Sequence, residues 1–180
     1  MDDQNACKME LRLAGSGGQG LILASIILAE AALMAGKNVA QTQSYGAEAR
    51  GGVCKAEVVI SDFKIGFFKV RTPTFLLALT QQSLSKYTSG IGEACIVMTD
   101  ETLDVPGYIS PLQVVSLPIL RTAAETVGKS LTANIVAVGA INKLLRIAPE
   151  EVLKEAVGKN IPEGTQEINF KALRTGAALI

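Results

Sequence analysis

The sequence predicts an α/β fold: a single domain over residues 1–180, built on a mostly parallel sheet with helices on both faces and a Rossmann-like beginning. Three observations carry this. Short, continuous apolar runs alternate along the chain with helical stretches, the pattern of strands covered on both sides. The first run stops at a glycine-rich turn that leads directly into an Ala-, Leu- and Ile-rich helix. Apolar residues make up 48% of the 180 residues and charged ones 19%, enough to build a core.

Lys8–Ala14, with Met9, Leu11 and Leu13, reads as the first strand, and Leu21–Ala35 as the helix beyond the turn. Gly36 stands where a helix end favours the left-handed conformation. Asn38–Thr42 is a short second strand. Residues 43–52 lack periodicity and contain Gly46, Gly51 and Gly52, so they form a loop. Val53–Ser61 alternates, with Cys54, Ala56, Val58 and Ile60 on one face and Lys55 and Glu57 on the other. Residues 62–66 read as a turn before another extended piece. Thr74–Leu79 is a compact strand and Gln81–Tyr87 a short helix. Ala94–Met98, ending at Thr99 and Asp100, and Gln113–Leu117 are two more strands. Helices follow at Leu120–Val127 and Ala133–Ile147. A further helix opens at Pro149, Glu150 and Glu151, with acids in its first turn, and a last one covers Asn169–Leu179.

Composition removes several function classes. Lys+Arg and Asp+Glu balance at 17 each, so there is no basic footprint for nucleic acid. The chain has no His, which excludes His-based acid–base catalysis and His-ligated metal. Cys7, Cys54 and Cys95 are widely spaced, with no C-x-x-C, so an iron–sulfur cluster held by this chain alone is not expected. Sparse, odd-numbered cysteines fit a reducing cytoplasm. The acidic, polar N-terminus is unlike a secretory signal. The two greasiest stretches are interrupted by Ser25 and Glu30, and by Asn134, Asn142 and Lys143. Both fall short of the roughly 20 apolar residues of a membrane span.

Two glycine-rich segments carry the functional signal. Gly15-Ser16-Gly17-Gly18-Gln19-Gly20 is a G-x-G-x-x-G between a strand and a helix, the context of a dinucleotide fingerprint. The acid expected about 20 positions on, for ribose hydroxyls, is missing from residues 39–43. The Walker pattern fails too, because no Lys-Ser/Thr follows. A structural turn, a phosphate or anion contact and dinucleotide binding all stay open. The second segment, Tyr45-Gly46-Ala47-Glu48-Ala49-Arg50-Gly51-Gly52, should emerge at the same carboxyl edge of the sheet. An aromatic, a carboxylate and a guanidinium among glycines can touch a ligand or a partner's backbone, or form a surface pair. Cys54, Ser16 and Ser44 lack an activating His, and no catalytic residue is assigned. Asp100, Glu101 and Asp104 cluster after a strand, as solvated acids usually do. Asn134 near the start of an apolar helix reads as a cap or a buried hydrogen bond.

Together the two segments resemble the gamma subunit of the 2-oxoacid:ferredoxin oxidoreductases, whose paired signatures G-x-G-G-Q-G and Y-G-x-E-x-R-G-G are both complete here. The Asn134-led apolar helix and the stretch Asn169–Gly176 are similar to later segments of that family. The Gln43-Ser-Tyr-Gly-Ala-Glu-Ala-Arg-Gly-Gly52 version is most similar to the 2-oxoglutarate type, with branched-chain relatives close behind. The resemblance implies a hetero-oligomer of alpha, beta and delta partners that hold thiamine diphosphate, Mg and iron–sulfur clusters. Ferredoxin would be met through the complex and CoA would be the co-substrate. It implies oxidative decarboxylation of 2-oxoglutarate to succinyl-CoA and CO₂ with reduction of two ferredoxins. This chain alone would bind no cofactor or metal and would be inactive, serving assembly and CoA positioning. Gly15, Ser16, Gly17, Gly18, Gln19 and Gly20 would offer backbone N–H groups to a phosphate or a partner carbonyl. Arg50, oriented by Glu48, would hold a carboxylate or phosphate, and Tyr45 would pack at an interface. The rival expectation is a stand-alone Rossmann-type nucleotide-binding protein.

Overall fold

The computed structural model describes residues 8–44 and 53–180. In chain order the elements are β1 (Lys8–Ser16), α1 (Leu21–Met34), β2 (Asn38–Ser44), β3 (Val53–Ser61), β4 (Phe75–Ala78), α2 (Gln81–Tyr87), β5 (Ile96–Asp100) and β6 (Val114–Leu117). Then come α3 (Ile119–Arg121), continued by a π-helical turn over Thr122–Val127, α4 (Ala133–Leu145), α5 (Glu150–Asn160) and α6 (Gln166–Ala177). The six described strands form one sheet in the order β2-β3-β1-β4-β5-β6.

β1, β4, β5 and β6 are parallel neighbours, while β3 runs antiparallel to both β1 and β2. Five of the six strands therefore point the same way, as the apolar runs predict. The departure from a Rossmann start is β3, which inserts between β2 and β1. Only eight residues join β2 to β3. A parallel crossover needs about a dozen or more, so that link permits only an antiparallel neighbour.

Alternation along β1 divides the layers. Leu11 and Leu13 join Val58, Ile60, Phe75, Leu77 and Met98 under α1, α4, α5 and α6, which make the main core. Ala14, Leu76, Ala78 and Val97 face the other way, onto Leu84 of α2 and Ile109 of the segment before β6. The second face is thus the thinly covered one. α4 and α6 cross at glycines: a β-carbon on Gly139 would run into the Leu173 carbonyl oxygen, and one on Gly176 into that of Val136. The absence of side chains at this pair is what lets the two backbones touch.

The extended piece expected after residue 66 does not join the sheet. Residues 62–74 leave β3 at the edge where β1 begins, since Ser61 pairs with Lys8, and they return to β4 at that same edge. Both sides of β1 are already paired, by β3 and β4, so the segment must pass over the second face as an irregular strap. Smaller shifts concern element ends. The fifth strand starts at Ile96 and the last helix at Gln166, and Pro149 precedes its helix as N-cap. Among the described residues no helix is long and apolar enough to cross a membrane.

Candidate functional site

The glycine turn occupies the carboxyl edge, between the end of β1 and the start of α1. Helix α1 begins without a side-chain cap and without an acid in its first turn. Its amino end therefore keeps its partial positive charge and unfilled N–H groups. Gly20 is its N-cap, in the left-handed region at φ 70°. The Gly20 carbonyl accepts from the Ala24 amide at 3.0 Å and from Asn134 Nδ2 at 3.2 Å. Asn134 Oδ1 in turn accepts from the Ile135 amide at 3.0 Å. Asn134 is buried, so of its two sequence readings the buried hydrogen bond holds. It also fixes the turn by clamping α4 to its last residue.

The Gln19 side chain does not point to solvent. Its Oε1 accepts from the Ser16 amide at 2.7 Å, and its Nε2 donates to the Leu79 carbonyl at 3.4 Å. The amide thereby joins the ends of β1 and β4. That is where the chain changes direction across the sheet, with α1 on one face and α2 on the other. In open α/β sheets this crevice takes a nucleotide; here a side chain of the chain itself spans it. Gly15 is required by that arrangement, because a β-carbon there would strike Gln19 Oε1 and lie 2.9 Å from Leu21 Cδ1. Gly20 is required by Asn134, whose Nδ2 would lie 2.5 Å from an added β-carbon. Gly17 and Gly18 are exposed and meet nothing within 4 Å, and Gly18 has φ 89°. Ser16 is half-buried at the end of β1.

Tyr45, Glu48 and Arg50 lie outside the described residues. Their flanks are placed: Ser16 pairs with Val53, and Ser44 with Lys55. Ser44 and Val53, on either side of the second segment, therefore lie at the carboxyl edge. With strands about 4.8 Å apart, Ser44 and Val53 fall within roughly 10 Å of the end of β1.

Below that edge, on the thinly covered face, sits a charged group that sequence reading did not single out. Arg12 Nε bonds Glu57 Oε1 at 2.7 Å, and Lys55 Nζ reaches the same oxygen at 3.2 Å. The Arg12 guanidinium lies 5.5 Å from the centre of the Tyr87 ring and donates to the Val70 carbonyl at 3.4 Å. Beside it, Thr42, Gln43, Ser44, Lys55, Glu57 and Lys69 line a cavity of about 280 Å³. The signal was present in the alternation, since Lys55 and Glu57 interrupt an otherwise apolar strand at mid-sheet.

The other candidates resolve into structural roles. The buried Asp100 carboxylate accepts from Thr102 Oγ1 at 2.6 Å, the Thr102 amide at 3.1 Å and the Leu120 amide at 2.8 Å, tying β5 to α3. Glu101 pairs with Arg121, and the Asp104 backbone is held by Gln81. Among the described residues no group of three His, Cys, Asp or Glu side chains is placed to hold a metal ion. Cys54, half-buried opposite Gly15, has its thiol pushed up by burial. Burial pushes the Cys95 thiol up to about 11, against the pull of the Arg12 guanidinium. Neither suits a thiolate nucleophile or a cluster ligand.

Comparison with known proteins places this geometry. Residues 10–179 match the model of the pyruvate ferredoxin/flavodoxin oxidoreductase family. The chain is 43% identical over 172 residues to the 2-oxoglutarate synthase subunit KorC of Methanocaldococcus jannaschii, covering 94% of this chain and 92% of that protein. The gamma subunit of a keto/oxoacid ferredoxin oxidoreductase from Geobacter sulfurreducens superposes with a TM-score of 0.86 at 39% identity, covering 96% of each chain. The 2-oxoglutarate:ferredoxin oxidoreductase of Magnetococcus marinus, solved with 2-oxoglutarate, coenzyme A and succinyl-CoA bound, superposes with a TM-score of 0.82 at 27% identity. There the likeness covers 96% of this chain but 31% of that one.

Proposed function

The chain belongs to the pyruvate ferredoxin/flavodoxin oxidoreductase family, as a gamma subunit of a 2-oxoacid:ferredoxin oxidoreductase, and from that premise we propose that its complex acts on 2-oxoglutarate. The substrate reading is supported by 43% identity, over nearly the full length, to a subunit of a 2-oxoglutarate synthase. The whole stretch 1–180 is read as one domain, working in the cytoplasm beside alpha, beta and delta partners. Those partners would hold thiamine diphosphate, Mg and the iron–sulfur clusters, and the complex would deliver electrons to ferredoxin. When bound on the partners, the thiamine supplies the carbanion chemistry of decarboxylation.

The residues of this chain do something different. The observation that supports the reading is the strand register, which brings Ser16 of the first signature to one edge with Ser44 and Val53, the residues that flank the second. That edge supplies an uncapped helix terminus and the exposed Gly17 and Gly18, while Gln19 and Asn134 hold the turn rigid from behind. Arg50, set by Glu48, makes a charge-assisted contact to a phosphate or carboxylate of CoA, and Tyr45 packs at the interface with a partner. The Rossmann-type rival loses support, because the switch-point crevice is spanned by Gln19 and both outer glycines are explained by contacts within the chain.

The test is Arg50→Ala in the assembled complex. Loss of a charge-assisted contact, about 1.5–3 kcal/mol, raises KM for CoA by about 10- to 150-fold with kcat for 2-oxoglutarate oxidation little changed. Unchanged kinetics in an intact complex would sink the positioning role, and comparing 2-oxoacids in the same viologen-reduction assay tests the substrate.

A further inference from the structure

The chain has five Phe residues, and three of them, Phe63, Phe67 and Phe68, are 56%, 40% and 54% exposed on the one irregular strap between β3 and β4. Rings of this size carry 150–250 Å² each, so the three together expose about 300 Å² of apolar ring surface on one short strap. The strap is also pinned. Its start is held by the Lys37–Asp62 ion pair, by Asn38 Nδ2 on the Asp62 carbonyl at 3.3 Å, and by the Phe63 amide on Ser61 Oγ at 3.1 Å. Its end is held by the Glu10 carboxylate, which accepts from the Arg71 amide at 2.9 Å and the Thr72 amide at 3.3 Å, and by Arg12 on the Val70 carbonyl. Phe67 and Phe68 stack with ring centroids 5.9 Å apart, and the Arg71 guanidinium lies 4.0 Å from the Phe67 ring centre. These rings are held outward by a fixed backbone, which lowers the entropy lost when they are covered.

Charge says what covers them. Lys64, Lys69 and Arg71 flank the rings, and no carboxylate among the described residues pairs with them, although the chain as a whole is balanced at 17 and 17. A second copy meeting this patch across a two-fold axis would set like charges against each other. An apolar surface rimmed by Asp and Glu fits instead. In the Magnetococcus marinus oxidoreductase, the part similar to this chain is 31% of a longer polypeptide, so this fold works there covalently beside further protein.

We propose that the Phe63–Arg71 strap is a docking surface for an acid-rimmed apolar patch on another chain of the same oxidoreductase. The proposal rests on the subunit reading above. It places this contact on the thinly covered face of the sheet, where Lys69 reaches the cavity beside Lys55 and Glu57.

The experiment expresses the tagged chain together with its partner chains and follows complex retention on dilution by size-exclusion chromatography. 2-Oxoglutarate- and CoA-dependent viologen reduction identifies the partners. Replacing Phe63, Phe67 and Phe68 with Ser is expected to weaken association by about 30-fold or more, the range of buried aromatic anchors. The variant Lys64→Glu alters only an exposed charge, so it serves even if the Ser variant misfolds. It is expected to weaken retention most at low salt. An active complex with wild-type dilution behaviour in the charge-reversed variant and in a folded Ser variant overturns the docking surface alone. A wild-type chain that purifies without an active partner overturns the subunit reading too. Strap-dependent sedimentation with vesicles of phosphatidylcholine and phosphatidylserine, with the complex unaffected, overturns the proposal in favour of a membrane.

Discussion

Replacing Gly20 with alanine probes the contact that makes the glycine turn rigid. Two penalties act. An L-residue held in the left-handed region loses about 1–2 kcal/mol. The new β-carbon would also sit 2.5 Å from Asn134 Nδ2, so Asn134 must move and its bond to the Gly20 carbonyl is lost. That bond is worth about 1 kcal/mol net, and the Gly20 carbonyl keeps its Ala24 partner, so it is not left bare. Gly20→Ala should therefore destabilise by about 2–3 kcal/mol, and Asn134→Ala by about 1–1.5 kcal/mol. The double variant is the informative one. With the amide already gone, the alanine at 20 displaces nothing further, so the pair should cost about 2–3 kcal/mol, at least 1 kcal/mol less than the sum. The chain has no Trp, so urea unfolding is best followed by far-UV circular dichroism. Strict additivity of the two single changes would refute the claim that Asn134 holds the turn through Gly20.

Two further outcomes follow from other contacts. Gly139→Ala places a methyl against the Leu173 carbonyl oxygen and 2.9 Å from the Ala177 amide nitrogen, where backbone cannot yield cheaply. It should cost about 3 kcal/mol in the same urea experiment, and wild-type stability would show that α4 and α6 do not touch there. Glu10 gives a pH-dependent test. Burial alone would raise its carboxyl, but the Lys8 ammonium and the Arg71 and Thr72 amides outweigh that and hold it below the ordinary 4.5. A depressed folded value means its stabilisation is present above the unfolded pKa and is lost as pH falls through the folded one. The Arg71 and Thr72 amide resonances should accordingly shift together with a midpoint below 4.5, and Glu10→Gln should abolish that transition. A midpoint at or above 4.5 contradicts the anchoring.

Local chemistry was legible and long-range pairing was not. Strand Val53–Ser61 and helix Gln81–Tyr87 agree with the sequence reading, because such patterns are encoded within a few positions. The Gly36 helix end is likewise local, with φ 82°. The direction of β3 could have been read from the short link before it. The partner of Gly20 could not, since Asn134 lies 114 positions away and nothing in its own surroundings points back. Gln19 poses the same problem at closer range. In the sequence it sits among glycines as a potential ligand contact, and only the fold shows Leu79 beside it. The strap failed for another reason. Residues 63–70 have the composition of a strand, but a strand needs a free neighbour, and the sheet had none to offer on either side of β1.

That last failure bears on how the protein works. Helices α1, α4, α5 and α6, with α3 and its π-helical turn, cover one face of the sheet and bury most of its large apolar residues, so stability is concentrated there. The other face is left with one short helix, a loop and a strap, and it holds a mid-sheet Arg12–Glu57–Lys55 group that a self-sufficient core would replace with apolar residues. A strand-like sequence excluded from pairing usually turns its apolar side chains inward. Here the strap keeps Val70 inward and sends three aromatic rings outward, while hydrogen bonds secure both of its ends. Stability of the lone chain does not account for that arrangement, because the same anchors would hold a polar strap equally well. A surface finished by another polypeptide does account for it. On the docking proposal the layer asymmetry becomes a division of labour, with one face dedicated to folding the subunit and the other left for a second polypeptide to cover.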